Sequence, residues 1–201
     1  RVRKMQGGAS GGTIASLMAT LESAKKDPSI FRTLANPFAL TPGFTGPAQP
    51  RGDKVERDDK AGQYAAPFIM AEINTKNVHR SHVLMGQPWG KDFVYSERML
   101  TGEGPKGAAR ARKMLRQTNV QNMLLAFGPT RALLKKFALP KPGEGPNAEQ
   151  RLKGSYDVRF FGVTDDGRRL VTRVTGDRDP GYGSTSKMLA ESALCLVRDD
   201  I

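Results

Sequence analysis

Residues 155–196 constrain the fold more tightly than any other part of the chain. The run Ser155-Tyr156-Asp157-Val158-Arg159-Phe160-Phe161-Gly162-Val163 alternates as a strand does, Thr164-Asp165-Asp166-Gly167 supplies an Asp-Gly turn, and the β-branched run 168–174 returns antiparallel. Beyond the hairpin, Gly176, Pro180, Gly181 and Gly183 allow tight turns, and Asp177, Arg178 and Asp179 crowd three charges into a loop that must emerge at one end of a sheet. Met188, Leu189, Ala193, Leu194 and Leu196 then recur at helical spacing and predict a helix over 184–197, with Ser184 or Thr185 placed to cap its first turn. A loop of this kind is either an internal salt-bridge knot or part of a site.

The rest of the chain predicts helices around that hairpin. The expected class is α+β, an antiparallel or mixed sheet with flanking helices. Gly7-Gly8-Ala9-Ser10-Gly11-Gly12-Thr13 precedes an amphipathic helix carrying Ile14, Leu17, Met18 and Leu21 that stops near Lys26. A glycine run before a helix suits a phosphate-cradling turn. This spacing, however, matches neither a Walker loop nor a Gly-x-Gly-x-x-Gly dinucleotide fingerprint, and close backbone packing is the alternative. Asp27-Pro28 opens a short helix with Ile30, Phe31 and Leu34.

Residues 42–61, rich in proline, glycine and charge, predict a solvated, mobile excursion. Pro67 predicts a first helical turn, with an apolar stripe from Ile69, Met70, Ile73 and residues 83–85 and a polar middle holding Asn74, His79, Arg80 and His82. His79 and His82 can share a face, but no third ligand stands nearby, so no metal site is expected. Residues 93–97 read as a short strand, and 106–127 as a long helix broken by Gly128-Pro129. A basic amphipathic piece over 130–139 and a turn-rich connector over 140–146 complete the path to the hairpin.

A chain of 201 residues suffices for one core or two small lobes. Its single cysteine, Cys195, excludes an internal disulfide and reads as a small apolar residue of the last helix. Lys and Arg outnumber Asp and Glu by 32 to 20, which predicts attraction to a polyanion: nucleic acid, anionic lipid, nucleotide phosphates or an acidic partner. No apolar run approaches the roughly 20 residues that span a bilayer, and no signal-peptide pattern opens the chain, which reads as soluble or peripheral. The start at Arg1-Val2-Arg3-Lys4-Met5, without an initiator methionine, reads as part of something longer or processed. Residues 123–139 are the most lipophilic district. They are either a core or interdomain seam, or a membrane or acyl-chain contact in which Leu124, Phe127, Leu134 and Phe137 enter the apolar phase while Arg131, Lys135 and Lys136 meet anionic headgroups.

Three runs, Gly7 to Ser16, Leu139 to Pro146 and Thr175 to Leu196, together resemble the saccharopine dehydrogenase-like oxidoreductases, a group that includes the mycobacterial trans-acting enoyl reductases. The resemblance covers only the family's C-terminal, substrate-side part. It implies one domain over 1–201 that lacks its dinucleotide-binding Rossmann half, with helix 184–197 packing back on that half. NAD(P) would be held by the absent half in cis or in trans, and no residue of this chain is expected to bind it. Ile73-Asn74-Thr75 and His79-Arg80-Ser81 resemble a family pattern that has arginine where this chain has His79, which implies that this helix, with Asn74 and Arg80, lines a substrate cleft and that any charge-binding role rests on Arg80. Arg178 and Arg80 would hold a carboxylate, thioester oxygen or phosphate, Asp177 and Tyr182 would be proton-relay or orienting groups, and Asp177 and Arg178 could equally pair with one another.

Two functions of different class follow. The first is the C-terminal part of an NAD(P)-dependent oxidoreductase acting on an acyl or lipid-linked substrate by enoyl reduction, inactive as this chain alone. The second is a non-catalytic, reductase-like subunit of a larger, organellar assembly. Direct nucleic-acid binding has the charge but no recognisable module.

Overall fold

The computed structural model describes all residues except Ala9, Ala138, Ile201 and the side chain of Lys135. In chain order its elements are β1 (Val2–Gln6), α1 (Gly11–Lys26), α2 (Ser29–Ala35), β2 (Glu56–Asp58), β3 (Gln63–Pro67), α3 (Ala71–Leu84), β4 (Arg98–Gly102), α4 (Gly104–Ala126), α5 (Gly128–Phe137), α6 (Ala148–Lys153), β5 (Ser155–Val163), β6 (Arg169–Gly176) and α7 (Gly183–Arg198). They divide into two compact α+β units, Arg1–Leu17 with Met123–Ile201, and Met18–Asn122, the boundaries falling inside α1 and α4.

The first unit is built on the hairpin. β5 and β6 pair antiparallel with Val158 opposite Val174, and Gly167 turns the chain at φ +81°, a left-handed conformation that favours glycine. β1 pairs antiparallel with the other edge of β5. Asp157 ties the three strands together. It accepts from Arg173 through Nε at 3.1 Å and Nη2 at 3.0 Å, and from Arg3 at 2.9 Å. The hydrogen bond from Arg173 holds its carboxyl below the usual carboxylate range, with the positive charges of Arg173, Arg3 and Arg159 adding to this against the opposing effect of burial.

Apolar burial in this unit is sparse. Val2 and Pro146 are its buried apolar side chains among the described residues. Val158, Phe160, Leu170 and Val174 share one face of the hairpin, where Phe160, Leu170 and Val174 are exposed. Met188, Leu189, Leu196 and Val197 make an exposed apolar stripe along α7, Val197 at 83% exposure.

The second unit orders its strands β2-β3-β4, all antiparallel. Ala65 and Ala66 of β3, Leu100 of β4, Ala108 and Ala111 of α4, and Met18 and Ala24 of α1 are its buried apolar residues, with Phe38 and Phe68. Small residues dominate because backbones approach closely: a β-carbon at Gly107 would collide with the carbonyl of Gly102. His79 and His82 are buried to 1% exposure on one face of α3. Their rings meet Phe38 at 4.6 Å, Phe93 at 5.0–5.7 Å and Trp89 at 5.1 Å, the last pair parallel within 5°.

Several elements depart from expectation. Pro67 closes β3 opposite Arg98 rather than opening a helix, because a terminal strand position tolerates the missing N–H. Ile69, Met70, Ile73, Leu84 and Met85 are exposed, since α3 turns its histidine face inward to the aromatic cluster. Residues 93–97 are not a strand. Gln49 satisfies their backbone instead, donating Nε2 to the Phe93 carbonyl at 3.2 Å and accepting the Tyr95 amide at 2.9 Å, so the strand begins only at Arg98. Segment 42–61 contains β2 and is tied by Arg98, which donates to the Lys54 carbonyl at 2.7 Å and pairs with Glu56.

Candidate functional site

All three runs that carried the family resemblance meet in the first unit. The Gly11 amide donates to the Glu144 carbonyl at 2.9 Å, and a β-carbon at Gly11 would collide with the carbonyl of Lys141. A β-carbon at Gly7 would collide with the carboxylate of Asp179, and one at Gly8 would touch Pro146 at 3.5 Å. The third run enters by the Asp179 amide, which donates to the Arg151 carbonyl at 2.9 Å. A β-carbon at Gly154 would collide with the Asp179 backbone. The glycines of residues 7–12 therefore serve close packing of chain on chain. Close packing of this kind at Gly7, Gly8 and Gly11 is the second of the two roles open to the run.

Asp179 is the centre of this knot, with 0% exposure. Its Oδ2 accepts the amides of Tyr182 at 2.6 Å and Gly183 at 3.0 Å, so Asp179 caps α7. Ser184 and Thr185, the expected caps, lie inside the helix and donate back to the carbonyls of Arg178 and Pro180, at 3.4 and 2.7 Å. Burial pushes the Asp179 carboxyl up, but the amides of Gly183 and Tyr182, with weaker support from Gly181 and Gly8, more than offset this and hold it below the ordinary range. Oδ1 has no hydrogen bond of good geometry.

Beside the knot, α6 and the start of α7 enclose an open groove of about 490 Å³ lined by Ala148, Arg151, Leu152, Arg178, Tyr182, Gly183 and Ser186. The lining combines two basic residues, Arg151 and Arg178, and the aromatic Tyr182 with the apolar Ala148 and Leu152, residue types suited to an anionic or carbonyl-bearing ligand with an apolar portion. Arg151 spends one nitrogen on the Pro146 carbonyl at 2.7 Å, which fixes it against the connector, and Ser186 donates to the Tyr182 carbonyl at 2.7 Å. Among the described residues no ion pair engages Arg178, and none joins it to Asp177.

Of the predicted site residues, Arg178 and Tyr182 come together in this groove, while Asp177 is exposed and outside its lining. Asn74 and Arg80 belong to the other unit. The Asn74 amide donates to Glu97 at 2.8 Å, which also accepts the Tyr95 hydroxyl at 2.6 Å, and Arg80 donates to the Leu40 carbonyl at 3.2 Å. Phe127 and Phe137 are exposed at 61% and 72%, Leu124, Leu134 and Arg131 are half-buried, and the Lys135 side chain lies outside the described residues. No group of three metal-ligating side chains occurs among the described residues. Cys195 is half-buried, and its hydrogen bond with Asp199, then burial, push its thiol up, which disfavours the thiolate.

Arg151, Leu152 and Ser186 were missed. The signal for the first two was present: Asn147 and Gln150 form a reciprocal capping box that opens α6, each side chain taking the other's amide at 2.8 Å.

No protein-family model matches the chain, and no solved structure matches it. A Mycobacterium tuberculosis protein whose name assigns it provisionally to the trans-acting enoyl reductases is 36% identical over 213 residues, 98% of this chain and 50% of that protein. The trans-acting enoyl reductase of Mycobacterium ulcerans is 31% identical over 203 residues, 95% of this chain and 48% of its own, and that of Mycobacterium bovis is 30% identical over 202 residues, 94% and 48%. The chain thus spans about half the length of these relatives. Over nearly all of its length it is homologous to proteins named trans-acting enoyl reductases.

Proposed function

We propose that this chain is the substrate-side part of a saccharopine dehydrogenase-like enoyl reductase, acting on an acyl or lipid-linked substrate together with a Rossmann half in cis or in trans. Homology over 98% of the chain to half of a relative named for enoyl reduction is the observation that carries this reading. The knot around Asp179 supports it, because Gly7, Gly8 and Gly11 pack against other parts of the chain, in keeping with a nicotinamide cofactor carried by the Rossmann half. The residues of this chain bind and orient. Arg151 and Arg178 take the anionic or carbonyl end of the substrate, and Tyr182 is the groove's hydroxyl suited to orienting it or giving a proton.

The test pairs the chain with a Rossmann half, fused to it or supplied as a separate chain, and follows NADPH oxidation with an enoyl thioester. Saturable turnover that Arg178→Ala weakens mainly through KM supports the reading. A second reading, a non-catalytic subunit, draws on the exposed apolar stripe of α7, which a permanent partner would cover. Stable capture in an assembly with no nicotinamide binding by the full-length protein would establish it instead.

A further inference from the structure

The positive charge of this chain is not spread evenly. The forty residues 104–143 contain nine Lys and Arg and no Asp or Glu, leaving 23 basic against 20 acidic residues in all the rest. Inside that cationic stretch lies α5, Gly128–Phe137. Leu133 and Phe137, one helical turn apart, are exposed, as are Phe127 just before the helix and Met123 at the end of α4. Arg131, Lys135 and Lys136 fall at the helical positions between these apolar residues. The Lys136 ammonium stands 5.1 Å from the centre of the Phe137 ring, a placement in which a lysine keeps its head beside an apolar residue entering a membrane interface.

We infer that α5, with Met123 and Phe127, is an interfacial helix that docks this protein on an anionic lipid surface. Leu133, Phe137 and Phe127 enter the boundary between headgroups and acyl chains, and the cations of residues 128–143 supply the attraction. The other occupants fit less well. A second copy would set this stretch of uncompensated positive charge against itself, and a nucleic acid would leave large apolar side chains in water against phosphates. The helix is ten residues long, and no helix of the described residues is long and apolar enough to cross a membrane, so it lies on the surface.

The test sediments the 201-residue chain with vesicles of phosphatidylcholine alone and with vesicles containing a substantial fraction of phosphatidylserine. The expected result is binding to the second kind at least about tenfold tighter, weakening as salt rises. Leu133→Ser combined with Phe137→Ser should abolish sedimentation while the far-UV spectrum and melting temperature stay those of the parent. Lys136→Glu, a single exposed change that leaves the apolar stripe intact, should weaken binding by roughly five- to twentyfold. Equal binding to both vesicles, or binding indifferent to these variants, overturns the inference. So does a lipid-free dimer that the double variant dissolves, which would assign the face to a second copy, and so does salt-sensitive binding of duplex DNA that Lys136→Glu weakens while vesicles are ignored.

Discussion

Replacing Asp179 by alanine should unfold the chain's most closely packed junction from within. The carboxylate is wholly buried, and Oδ2 is the acceptor for the amides of Tyr182 and Gly183 at the start of α7. Truncation leaves two part-buried N–H groups without their acceptor, at about 1–3 kcal/mol each, partly offset because a buried carboxylate no longer has to be desolvated. A net loss of about 3 kcal/mol corresponds to a melting temperature lower by roughly 6–12 °C for a chain of this size. Asp179→Asn keeps one carbonyl-type acceptor in nearly the same shape and should lose about half as much. The pH dependence follows from the sign of the shift. The folded-state pKa lies below the ordinary 3.8, so the stabilisation is complete above that value and is lost as the pH falls through the folded pKa. Asp179→Ala should remove that acid-side decline while lowering stability at neutral pH. Thermal melts followed by circular dichroism at neutral pH and near pH 3 read both effects. If Asp179→Ala melts within about a degree of the parent, the capping role assigned to this carboxylate is wrong.

Other outcomes follow from the same geometry. Gly154→Ala should cost about 1–3 kcal/mol or more in chemical denaturation, because its φ of −61° suits any residue and the clash is with the Asp179 backbone, whereas Gly167→Ala, with open space around it, should cost only the roughly 1–2 kcal/mol of a left-handed alanine. His79 is held below its ordinary 6.5 first by burial and then by the charge of His82, so its contribution to stability should be full above that pH and fall as pH drops below it. His79→Phe, which keeps a ring against Phe38 and Phe93, should flatten that decline, and the fluorescence of Trp89, the only tryptophan, reports it through its stacking on His82. In the joined enzyme, Tyr182→Phe should lower kcat by about 10²-fold if the hydroxyl gives the proton, and leave kcat nearly unchanged if it only shapes the groove.

The hairpin, α1, α4 and α7 were legible because periodicity, turn chemistry and glycine or proline stops agreed over each of them. The α3 face was not. Ile69, Ile73 and Leu84 look like the inward stripe, yet the buried side is the one that carries His79 and His82, because imidazoles have Phe38, Trp89 and Phe93 to pack on and periodicity counts them as polar. Residues 93–97 alternate like a strand, but a distant side chain, Gln49, took their backbone bonds. Arg178 and Tyr182 could be chosen because the loop that bears them is dense in charge and glycine. The capping box made α6 legible, but which of its residues line the groove together with Ser186 depends on how α6 meets α7, which no local pattern encodes. The glycine run 7–12 shows the same limit. Its composition suits a phosphate and a packed backbone equally, and only the collisions with Lys141 and Asp179 decide.

The most direct measurement is NADPH oxidation driven by an enoyl thioester, made on the full-length protein and again with Arg178→Ala and Arg151→Ala. The account predicts turnover by the parent and a KM raised about tenfold or more for each variant, with the nicotinamide affinity unchanged, as follows from the proposal that the groove takes substrate and the Rossmann half takes the cofactor. Unaltered substrate kinetics in both variants, or a loss of NADPH affinity caused by either, would contradict it.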